Sequence, residues 1–164
     1  MIETENLNAG PHVVQFYGHD GELAERVTDS LLAEMGSRYD AVIGTDGPAA
    51  VRMFAYHRDS PAAARHFTVG TVREWGAGNL ADDAALVVTE LAGNAIVHAR
   101  SGFTVMLSAY GDRLRIAVRD ASPLAAPLVP VPLHGLAAVD ALACRWGVES
   151  LGEAGKTVWV ELRW

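Results

Sequence analysis

The sequence predicts an α+β fold, a two-layer sandwich with helices on one face of a mixed β-sheet. Three observations lead there. Segments 60–75 and 80–99 repeat apolar residues at helical spacing. Segments 103–110 (FTVMLSAY) and 113–120 (RLRIAVRD) alternate apolar and polar residues, and Gly111-Asp112 joins them as a tight hairpin. The chain closes on two further short strands, 147–151 and 157–164, around a GEAGK turn.

Taken in order, residues 1–11 are polar and carry no periodic pattern. HVVQFY, 12–17, reads as a short strand. Leu23, Val27, Leu31 and Met35 predict a helix over 20–35, with Asp20 as N-cap and Gly36 as stop. DAVIG, 40–44, reads as a strand and 45–50 as a turn or junction. VRMFAYH, 51–57, alternates like a half-buried strand. Ser60-Pro61 is a helix start, with Ser as N-cap and Pro at N1, and that helix stops at Gly76. A longer helix is expected from Leu80 to Ala99. Residues 121–133 hold four prolines and are read as a loop. Residues 134–147 read as a helix.

Composition excludes several classes. Half of the 164 residues are apolar, ample for a core, and the length suits one ordinary domain with an appendage. No apolar run approaches the about 20 residues of a membrane span, and the first 20 residues lack a basic start and an apolar stretch. The lone Cys144 fits a reducing cytoplasm. A net charge of −7, without a Lys/Arg cluster, argues against nucleic acid as a partner. Lys156 is the only lysine among 13 basic residues. Gly155-Lys156-Thr157 resembles the end of a P-loop, but position 150 is Ser rather than Gly and the following residues alternate like a strand. His57, His66, His98 and His134 show no paired metal-ligand spacing, which argues against a metal-dependent hydrolase.

The chemistry concentrates on the helix over 80–99. On a helical wheel at about 100° per residue, Leu80, Ala84, Val87, Val88, Leu91 and Ala95 share one face. Glu90, Asn94 and His98 lie four apart beside that face, not opposite it. Burying such groups without partners costs roughly 1–3 kcal/mol each, so a ligand, water or another side chain must complete them. For this helix alone, the better explanation is that Glu90 and Asn94 are solvated rim residues and His98 a hydrogen-bonded helix-end histidine. Asp120 adds a carboxylate at a strand end that opens into an irregular loop, a place suited to a ligand amino group, though a simple turn Asp also fits. His134-Gly135-Leu136 adds a helix opening, whose free N–H groups and positive end suit phosphates.

ALVVTELAGNAIVHA (85–99), AVRDASP (117–123), HGLAAVDALACRWGV (134–148) and GKTVWVEL (155–162), in that order, resemble the GHKL, or Bergerat-fold, ATPases. Among these the sequence is most similar to the anti-sigma-factor serine kinases, the RsbW-like group, over about residues 50–164. The resemblance implies ATP and Mg²⁺ as cofactors. It makes Glu90 the general base, Asn94 the Mg²⁺ ligand through its amide oxygen, and places His98 near the phosphates. It assigns Asp120 to the adenine amino group, with Ser122 in the glycine box that follows. Gly135 would give backbone N–H to the phosphates, with His134 and Leu136 beside it. Thr157 would support Asp120 through its hydroxyl or a water, and residues 121–133 would form the ATP lid.

Two departures stand out. The family's Gly-x-Gly-Leu reads Leu133-His134-Gly135-Leu136, and its Asp-x-Gly reads Asp120-Ala121-Ser122. Residues 12–35 resemble the opening strand and helix of MEDS-type sensory domains, so the expected division is an extension over 1–48 and an ATP-binding domain over 49–164. The implied function is a cytoplasmic kinase that phosphorylates Ser or Thr of an antagonist protein and otherwise sequesters a sigma factor, away from membranes. The alternative is a degenerate nucleotide-binding or interaction module without turnover. Relatives often dimerise, and whether this chain forms a homodimer is left open.

Overall fold

The computed structural model describes the backbone of His12–Phe16 together with residues 47–122 and 136–164. Six strands form one sheet: β1 His12–Phe16, β2 Ala49–Phe54, β3 Phe103–Tyr110, β4 Arg113–Asp120, β5 Arg145–Ser150 and β6 Lys156–Arg163. Their order is β1-β2-β3-β4-β6-β5. β1 runs parallel to β2, and the other neighbours are antiparallel, so the sheet is mixed as expected. The strand of the N-terminal extension is therefore hydrogen-bonded into the same sheet as β2. The helix expected over 20–35 and the strand expected over 40–44 lie outside the described residues.

Helices α1 (Ser60–Glu74), α2 (Ala81–Asn94) and α3 (Leu136–Leu142) supply the second layer. α1 packs along α2, and α2 packs on β4, β6 and α3. The core lies between the layers. Val87, Val88 and Leu91 of α2 meet Val105, Leu107, Leu114, Ile116, Val118 and Val160 of the sheet. These strand residues alternate with residues of the opposite face, because successive side chains of a strand point to opposite sides. Alanines at 84 and 92 keep α2 narrow where it packs on the strands, and these two and Ala95, just beyond its end, are fully buried.

Several boundaries differ from the sequence expectation. Asp59, not Ser60, is the N-cap of α1; the Ser60 hydroxyl instead donates to the Ala55 carbonyl at 2.7 Å. β2 begins at Ala49, inside the expected turn. The expected helix over 80–99 is three pieces. A 3₁₀ turn at Gly78–Leu80 leads into α2, and a π-helical segment, Ala95–Ala99, follows it. Arg100, at φ 50, ends that segment in the left-handed region.

The expected helix over 134–147 stops at Leu142, and β5 starts at Arg145. Arg145, Trp146 and Gly147 pair with Glu161, Val160 and Trp159, and a Cβ at Gly147 would lie 2.7 Å from the Trp159 ring. Sheet pairing and this close ring contact override local helix propensity there. No helix among the described residues is long and apolar enough to cross a membrane.

The other sheet face carries charge. Arg115 Nη1 lies 3.3 Å from Glu161 Oε1, with both side chains almost fully buried at 2% and 1% exposure. Arg113 reaches the other Glu161 oxygen at 3.3 Å, and Glu149 lies 3.5 Å from Arg115 Nη2. The Arg115 guanidinium stacks 4.1 Å above the Trp159 ring. Burial, then the hydrogen bond and negative charge of Glu161, push the Tyr110 hydroxyl up to about 12.

Candidate functional site

Asn94 closes α2, and Glu90 stands one turn earlier on the same row; both are half-buried. The amide nitrogen of Asn94 is buried and has no hydrogen-bond partner among the described residues. Buried polar atoms are normally paired, so this amide, like the Thr68 hydroxyl, leaves a place for a further hydrogen-bonding group. A carboxamide carries both a donor nitrogen and an acceptor oxygen, so this helix end can serve a partner of either kind. His98 falls in the π-helical segment and is exposed. π-Helical turns inside α-helices occur frequently at functional sites.

The chain leads from this helix end to the ends of the central strands. After Asn94 it passes through Ala95–Ala99, which touches β4, and enters β3 at Phe103. Phe103 pairs directly with Asp120, the last residue of β4. Asp120 pairs in turn with Lys156, the first residue of β6. Asp120 shares the alternation of Leu114, Ile116 and Val118, so its side chain lies on the helix-bearing face.

Asp120 is 5% exposed and firmly held. Its Oδ1 accepts a hydrogen bond from the Ser122 backbone N–H at 2.8 Å and another from Lys156 Nζ at 2.9 Å. The Ala121 N–H donates to the Ser101 hydroxyl at 3.3 Å, which ties the start of the loop to the entry of β3. Gly155, at φ +114, presses on this corner: a Cβ there would fall 1.9 Å from the Asp120 carbonyl oxygen. Only glycine combines that backbone angle with that approach.

One expected contact is not made. Thr157 is buried but pairs with Arg119, and strand alternation turns it to the face that carries Trp159 and Glu161. The residue on Asp120 is Lys156, one position earlier. Apart from the P-loop-like Gly155-Lys156-Thr157, no local pattern singles out this lysine. Its signal was the register: the only lysine, placed directly across from the strand-end aspartate.

Leu136 opens α3. His134, Gly135 and residues 123–133 of the expected lid lie outside the described residues. Ser122 is half-buried, and its contribution to the described corner is its backbone N–H. Among the described residues, no group of three or more His, Cys, Asp or Glu side chains could hold a metal ion.

The architecture has a counterpart. The chain is similar in fold to the crystal structure of the RsbU and RsbW domains of Rv1364c from Mycobacterium tuberculosis, with a TM-score of 0.55 and 20% sequence identity. The match covers 89% of this chain and 49% of the other, so this chain spans about half the length of that structure. At this identity the likeness is one of fold alone. No family model matches the sequence, and no curated protein does.

Proposed function

We propose that this chain binds ATP with Mg²⁺ between the end of α2 and the β4–β6 corner, as a regulatory protein of the anti-sigma-factor type. The observation that carries the reading is the buried Asn94 amide nitrogen, without a hydrogen-bond partner among the described residues and brought by chain continuity towards the strand ends at Phe103 and Asp120. The motif order and the shared fold with an RsbW-containing structure support it.

The donor set fits magnesium bound with a nucleotide rather than alone. Mg²⁺ takes oxygen ligands and is commonly held by one or two protein groups plus substrate phosphates. Asn94 supplies an amide oxygen, and the described residues hold no independent metal cluster. When bound, the ion would neutralise phosphate charge. Glu90, one turn from Asn94, would accept the proton of an attacking hydroxyl. Asp120 would accept a hydrogen bond from the base amino group. In this reading the hydroxyl belongs to Ser or Thr of an antagonist protein, and the unmodified partner network includes a sigma factor.

The altered glycine boxes favour a second reading, a nucleotide-binding module without turnover. Calorimetric titration of ATP with and without Mg²⁺ tests the shared part. Wild type should bind Mg·ATP, and Asn94→Ala should lose Mg²⁺-dependent binding while melting like wild type. Wild-type binding by Asn94→Ala refutes the site. Label transfer from ATP to an antagonist protein separates the kinase from the module.

A further inference from the structure

Building on the nucleotide reading, we propose that Lys156 is the base-selecting residue of this site, acting by fixing which oxygen of Asp120 is offered to the nucleobase. Lys156 and Asp120 are directly opposed at the ends of β6 and β4, on the helix-bearing face. Their side chains are only 13% and 4% exposed, so the pair is held rather than solvated. Both hydrogen bonds described for the carboxylate, from Lys156 Nζ and from the Ser122 N–H, end on Oδ1. Two donors on one oxygen lock the carboxylate's rotation and leave Oδ2 as the acceptor for a ligand. Gly155 fixes the backbone beneath it by close approach to the Asp120 carbonyl.

An ionised carboxylate only accepts hydrogen bonds. A base with an exocyclic amino group at this position donates to Oδ2, as adenine does at its six-position. A base with a carbonyl there sets oxygen against oxygen and leaves buried acceptors unpaired. Such mismatches are what make a hydrogen-bonding site discriminate strongly between close analogues. Lys156 does not touch the base in this arrangement; it is a positioning residue. With the ammonium removed, only the Ser122 N–H orients Asp120, and the preference for an amino group decays.

The test is calorimetric titration of the full chain with Mg·ATP and with Mg·ITP, whose base carries a carbonyl in place of the amino group. Wild type should prefer ATP by about 10- to 100-fold, the range of a hydrogen bond to a charged group. Lys156→Met should collapse that ratio towards one through loss of ATP affinity, with ITP affinity unchanged. Lys156→Arg, which keeps the ion pair, should keep the wild-type ratio and covers the case of a Met variant that does not fold. A merely structural lysine would weaken both nucleotides equally, and that result overturns the proposal. So does a wild-type ratio in a folded Lys156→Met, or a lost ratio in a folded Lys156→Arg. Binding of neither nucleotide by wild type overturns the nucleotide reading itself. Wild-type binding of both nucleotides with no preference overturns only the role of Lys156.

Discussion

Truncating Glu161 should destabilise the fold more than any surface substitution. Its carboxylate takes Arg115 on one oxygen and Arg113 on the other, each at 3.3 Å. Glu161→Ala removes the buried carboxylate that faces the Arg115 guanidinium, itself only 2% exposed. Among the described carboxylates, Glu149 still lies 3.5 Å from Arg115 and is 47% exposed. Breaking a buried pair by removing one partner costs about 3–5 kcal/mol, because an uncompensated charge stays in a poorly solvated place. With a urea slope of about 2 kcal/mol/M, the unfolding midpoint should fall by about 1.5–2.5 M. Replacing both partners together, Arg115→Met with Glu161→Leu, should recover most of the loss, since well-packed apolar pairs often match a buried ion pair. Urea unfolding followed by circular dichroism measures both. A loss below about 1 kcal/mol for Glu161→Ala would place the pair in the range of exposed salt bridges and refute the reasoning. A double variant as unstable as the single one would shift the cause from stranded charge to lost packing.

Three further outcomes are expected. Tyr110 should titrate late: its value is raised from 10.0 to about 12, so the folded protein holds that proton longer than the unfolded chain. The resulting contribution to stability is complete below about pH 10 and is lost as pH rises towards 12, and Tyr110→Phe should remove this phase from a phenolate absorbance titration. Gly155→Ala should cost about 1–3 kcal/mol or more, since φ +114 and the Asp120 carbonyl both oppose a Cβ, and a melting temperature unchanged from wild type would refute the close approach. Glu90→Ala should keep Mg·ATP binding and lose turnover; retained turnover would remove it as the base.

The strongly periodic parts of this chain were legible because each is amphipathic by itself. α1, the hairpin of β3 and β4, and β6 all follow the period of their own apolar residues, and the mixed sheet with helices on one face follows from their order. The row of Glu90 and Asn94 beside a core face could also be read from spacing alone. The C-terminal boundary was not legible. Residues 143–147 look helical locally, yet the chain beyond Leu142 turns into strand pairing with β6 because Gly147 admits the Trp159 ring.

What the sequence by itself determined was the set of elements and the chemical types at their ends: an amide and a carboxylate on one helix, and an aspartate closing a strand. Only the tertiary structure decided which groups meet. Strand register, a shift of one residue that exchanges the two sheet faces, put Lys156 rather than Thr157 on Asp120 and sent Thr157 to the far side. The same register buried Arg115 against Glu161, two residues 46 positions apart whose pairing no local pattern encodes.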